Sequence, residues 1–108
     1  MSERRVRIVA RDLFFRAKLE AIARAAGWTV SPSGPAAIAV VELAGKSSLE
    51  LVAELAGSGV AVLAFGPHVE GELLRAARLR GAEVVPNSKV EARLKELLSE
   101  EQGTGRKL

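Results

Sequence analysis

Three features of this 108-residue sequence predict an α/β domain with helices on both faces of a five-stranded parallel sheet. Short runs rich in Val, Ile and Ala alternate with longer stretches of helical periodicity. Two interior runs, AIAVVEL at 37–43 and VAVLAF at 60–65, are almost continuously apolar, as strands buried on both faces are. Most of the intervening segments are long enough for the crossover helices that parallel neighbours require.

Each element follows in order. Val6–Ala10 reads as the first strand. Asp12 is the expected N-cap of a helix over Leu13–Ala26, whose stripe is Phe15, Leu19, Ile22 and Ala26. Gly27 ends it in the position that favours positive φ. Trp28–Val30 is a short second strand and Ala37–Leu43 a third. Ser47 and Glu50 have capping-box spacing and open a helix presenting Leu51, Val52, Leu55 and Ala56, which stops at Gly57-Ser58-Gly59. Val60–Phe65 is the fourth strand. A helix from about Val69 to Arg80 turns Val69, Leu73, Ala76, Ala77 and Leu79 inward, and Gly81 ends it. Glu83–Val85 is the fifth strand. Ser88 and Glu91 repeat the capping-box spacing before a last helix with Val90, Leu94, Leu97 and Leu98 on one face. The single domain is expected to end near residue 100, with 101–108 a frayed tail.

Right-handed crossovers in a chain of this length suit the flavodoxin-like strand order 2-1-3-4-5. One connection is too short for it: about seven residues, Ser31–Ala37, join strands two and three where the arrangement places a helix. An extended link must cover a diagonal of about 18 Å, and seven residues reach about 23–25 Å. The second crossover helix is therefore predicted to be missing. The sheet face beside strands one and two is expected to be an uncovered apolar surface, and so the contact face of a homodimer or another protein.

Composition narrows the function. With no cysteine there are no disulfides, thiolate metal sites or Cys nucleophiles. No run approaches the roughly 18 apolar residues of a membrane span. Met1–Arg5 leads straight into a strand-like run, unlike a signal peptide, and a cytoplasmic location is expected. The net charge of +3 sits at the ends, in Arg4, Arg5 and Arg7 and in Arg106 and Lys107. A nucleic-acid binder gathers such charge on one face, so solvated termini are the preferred reading and nucleic acid is not expected as a partner. The excess of Arg over Lys suits a thermophile or a GC-rich genome.

In open α/β sheets the working cleft lies at the carboxyl ends of the strands. That places Arg11 and Asp12 after strand one, Glu42 at the end of strand three, Gly66 and His68 after strand four, and Asn87 and Ser88 after strand five. The segments VRIVARDLFFRAKLEAIARAAG at 6–27, VAVLAFGPH at 60–68 and GAEVVPNS at 81–88 resemble the receiver domain of two-component response regulators, across about residues 5–98. The resemblance implies an acid pair after strand one, a phosphoacceptor aspartate ending strand three, a Ser or Thr after strand four and a Lys after strand five. The acids would hold Mg²⁺ and the lysine would add a fixed positive charge.

This chain departs from that set at most positions. Arg11 stands beside Asp12 in the acid pair, Glu42 replaces the acceptor, Phe65 the hydroxyl and Pro86 the lysine, with Lys89 three residues late. Asp12 and Glu42 are thus a degenerate phosphoacceptor site. A structural cluster, with Arg11 pairing Glu42, is preferred over a working acceptor, and a repurposed anion or small-molecule site is the alternative. His68, the lone histidine, is read as an exposed residue at a helix start ahead of a proton carrier. No catalytic set, metal or cofactor is implied, and the expected role is signalling-type protein binding. Candidate contact residues are Phe14, which diverges by about 100° from the core residue Phe15, and Arg75 and Arg78 on the fourth-strand helix. Trp28 either packs over the missing helix's gap or anchors a partner.

Overall fold

The computed structural model describes residues 4–103. Its sheet is all parallel, in the order β2-β1-β3-β4-β5. The strands are β1 (Arg5–Val9), β2 (Thr29–Ser31), β3 (Ile38–Glu42), β4 (Ala61–Gly66) and β5 (Glu83–Pro86). The helices are α1 (Leu13–Ala25), α2 (Gly45–Gly57), α3 (Gly71–Leu79) and α4 (Val90–Gly103), the last preceded by a 3₁₀ turn over Asn87–Lys89. This is a flavodoxin-like arrangement with one crossover helix missing. Between β2 and β3 the six residues 32–37 form no helix.

Strand alternation divides the interior into two cores. Val6, Ile8, Val40, Leu63 and Phe65 face α1 and α4, where they meet Leu19, Ala23, Leu94 and Leu98. Ala39, Val41, Val62 and Ala64 face α2 and α3, where Val52, Leu55 and Ala77 cover them. The second core presents smaller side chains from the sheet, all Ala and Val.

The first three helices end alike. After α1, Gly27 N–H donates to Arg24 O and Trp28 N–H to Ala23 O, both at 3.0 Å, a Schellman motif with Gly27 at φ 84°. The same pair of bonds closes α2 through Gly59 and Val60, and α3 through Gly81 and Ala82. The chain is thereby turned back onto the helix it has just left and enters the next strand. This explains Trp28, which is 4% exposed in the α1 and α4 core. It neither spans the gap, which lies on the other side of the sheet, nor reaches a partner.

Several boundaries differ from expectation. The box at Ser47 does not form, because α2 begins two residues earlier with no side-chain cap on Ala44. Instead Ser48 Oγ accepts from Ala44 N at 2.9 Å and donates to Gly45 O at 2.7 Å. Ser88 lies in the 3₁₀ turn, and its side chain makes no hydrogen bond among the described residues. α3 starts at Gly71, which leaves Val69 outside it, and Val69 and Leu79 are 76% and 80% exposed rather than inward. α4 continues past residue 100 to Gly103, so the tail expected from 101 begins inside a helix, and its remainder lies outside the described residues. The same holds for Met1–Glu3, Arg106 and Lys107 among the charged ends.

The face bared by the missing helix is not apolar. Arg7 pairs in register with Ala39 and Ser31, and Arg5 with Thr29, so this face of β1 and β2 carries Arg5, Arg7, Thr29 and Ser31. The expected apolar surface is corrected accordingly: with no helix to pack against, these positions carry polar side chains.

Candidate functional site

The carboxyl ends of β1 and β3 bring Arg11, Asp12 and Glu42 together, though not by the expected ion pair. One oxygen of Glu42, Oε1, accepts the backbone N–H of Arg11 at 2.7 Å and of Asp12 at 3.0 Å. The Arg11 guanidinium makes no ion pair or hydrogen bond among the described residues and is exposed. The backbone does what the side chain was expected to do. Amides just ahead of a helix point their hydrogens into the cleft, and the helix dipole favours a negative group there.

Asp12 is also committed. It caps α1, its Oδ1 accepting from Phe14 N at 2.9 Å and Phe15 N at 3.1 Å. Of the two carboxylates, one caps the helix and the other ties the preceding loop to β3. No cluster of three or more His, Asp or Glu side chains that could hold a metal ion occurs among the described residues.

The other candidates scatter. Phe65, in the hydroxyl position of the receiver pattern, is fully buried and packs on Phe15 with ring centroids 5.2 Å apart. Gly66 is buried at the end of β4, with Leu43 and Leu74 close by. His68 is exposed in a turn closed by Glu70 N to Pro67 O at 2.9 Å, two residues before the N-cap of α3. It is therefore not at the helix start, because α3 begins later than the periodicity suggested. Arg75 and Arg78 are exposed along α3.

Phe14, Asn87 and Ser88 do meet. They line a shallow groove of about 840 Å³ between the start of α1 and the start of α4, with Phe15 and Ala92 also in its lining. Phe14 is 67% exposed and Leu13 beside it 68%. Lys18, one turn on, places its ammonium 4.5 Å from the Phe14 ring centroid and 3.8 Å from Glu91 of α4. Sequence reasoning missed Lys18, although its spacing of four from Phe14 is the signal for such a helical pair. It also missed Arg93, which joins β5 to α4 through hydrogen bonds to Glu83 and Glu96. Those bonds, Glu83's first, hold its guanidinium more firmly charged than an isolated arginine's.

The chain matches no protein-family model and no curated protein. No helix among the described residues is long and apolar enough to cross a membrane.

Proposed function

We propose that this chain is a receiver-like domain that binds another protein and carries out no phosphotransfer. The observation that carries this reading is the state of Glu42. Where the receiver pattern has its phosphoacceptor, Glu42 directs its carboxylate at the amides of Arg11 and Asp12, donors that suit an incoming anion. The chain supplies its own anion there. Asp12, the one remaining acid of the metal-binding pair, is engaged as a helix cap. The exposed apolar side chains at this end are Leu13 and Phe14, the latter under the Lys18 ammonium, beside the groove toward Asn87 and Ser88. An exposed aromatic beside a polar-rimmed groove suits a docking contact.

The same geometry weighs against a small-molecule anion site, since a ligand would have to displace Glu42 from both amides. The test is an amide NMR spectrum of labelled protein alone, with Mg²⁺, and with Mg²⁺ and beryllofluoride. The expected spectrum is unchanged throughout. Shifts at Asp12, Glu42 and Gly66 that require both additions would establish a working phosphoreceiver and overturn the proposal.

A further inference from the structure

The β1 and β2 face that lacks its helix carries two unpaired cations. Arg5 and Arg7 lie on the side of β1 opposite α1, and neither makes an ion pair or side-chain hydrogen bond among the described residues. Arg7 Nε is moreover buried without any acceptor. Nε itself is closed to any incoming group, but a half-buried guanidinium with no acid beside it is costly, so a carboxylate at its remaining donors would be favoured.

The neighbouring element on this side of the sheet is α2, which carries Glu50 and Glu54 against a single cation, Lys46, in its first turn. Val52 and Leu55 turn its inner side onto the sheet, while Glu50 and Glu54 are exposed on its outer side. Their carboxylates also make no ion pair or hydrogen bond among the described residues. The spacings agree. Residues four apart on a helix rise about 6 Å, and residues two apart on a strand about 6.6 Å. Glu50 and Glu54 therefore match Arg5 and Arg7 in pitch, but within one chain the outer side of α2 faces away from its own sheet.

We infer that a second copy of this chain covers the bared face, the outer side of α2 in each copy lying against β1 and β2 of the other. A two-fold axis between α2 and β1 makes the contact self-complementary and closed. Glu50 and Glu54 of each copy then meet Arg5 and Arg7 of its mate, and the partner's α2 takes the place of the absent crossover helix. Ala53 and Gly57, both exposed on α2, leave room for close approach.

The test is molar mass by light scattering and sedimentation, at about 50 mM and about 500 mM salt, since screening weakens such pairs. The expected low-salt mass is twice 11.4 kDa, falling toward the monomer as salt rises. The double variants Arg5→Glu/Arg7→Glu and Glu50→Arg/Glu54→Arg should each be monomeric. Mixed one to one they should dimerise again, because opposite charges then meet at both halves of the contact, in the native sense at one half and reversed at the other. The Glu50 and Glu54 changes lie on an exposed helix surface, so that variant decides alone if the arginine variant does not fold. A wild-type chain that stays monomeric at about 1 mM and low salt overturns the inference. So does a dimer that the charge reversals leave intact, or two folded variants that do not recombine.

Discussion

Removing the Glu42 carboxylate tests whether it holds the cleft loop in place. Glu42→Ala deletes two hydrogen bonds, from Arg11 N at 2.7 Å and Asp12 N at 3.0 Å. A typical intramolecular hydrogen bond contributes about 0.5–1.5 kcal/mol net, and more where the acceptor is charged. Arg11 and Asp12 are exposed, so water can replace the acceptor, which keeps the total loss near about 1–2 kcal/mol. For a domain of this size that corresponds to a fall in Tm of roughly 5–15 °C. Two further variants separate the hydrogen bonds from the bulk of the side chain. Glu42→Gln keeps an acceptor oxygen at the same reach and should lose less than half as much. Glu42→Asp is one methylene too short to reach both amides and should resemble the alanine variant. The assay is thermal unfolding followed by circular dichroism at neutral pH. An alanine variant melting within about 2 °C of the parent would refute the reasoning. A glutamine variant as damaged as the alanine variant would refute the assignment to these two bonds.

Two glycines 24 residues apart in sequence, Gly57 and Gly81, make a matched pair. Gly81 has φ 105°, and a Cβ there would lie 2.9 Å from Ala56 Cβ on α2, so Gly81→Ala should cost about 1–3 kcal/mol. Gly57→Ala, at the end of α2 with nothing within 4 Å, should be neutral or stabilising by up to about 1 kcal/mol. Urea unfolding checks both, and equal effects would contradict the close approach of α2 to the α3–β5 turn. Arg93→Ala should destabilise by less than about 1 kcal/mol, because the acidic partners of Arg93 are largely exposed. Its deficit should shrink in about 1 M salt, and a salt-independent loss would point to packing of the arginine stem instead.

The legible parts of the fold are those encoded by apolar continuity and by spacing. β3 and β4 follow from runs that only a doubly covered strand tolerates, and the missing helix follows from a connection too short to contain one. Asp12 as the cap of α1 was readable because the side chain itself makes the bond. The start of α2 was not, since Ala44 offers no capping group and Ser47 and Ser48 mimic a boundary from inside the first turn. Trp28 was misread because its burial depends on how the Gly27 turn aims the chain, which composition does not record. At the cleft, residue types and placement were readable from the strand ends. That Glu42 would take backbone amides rather than the Arg11 guanidinium was not, because the N–H directions at a helix start leave no trace in side-chain identity. Val69 and Leu79 show a further limit: apolar identity suggests an inward side, but the nine-residue α3 covers too little sheet to bury both.

The edges of the sheet bear on how copies of this chain can associate. β2 has three residues and is followed by Pro32, and β5 has four and ends on Pro86. A rim this short offers few free donors and acceptors, and a proline has no N–H with which to extend a ladder. Strand-by-strand addition, the route by which open sheets grow into fibres, has almost no template at either margin. Any association between copies is thereby left to faces and helices, where a contact can satisfy itself and stop growing, rather than to edges, where each addition exposes the next.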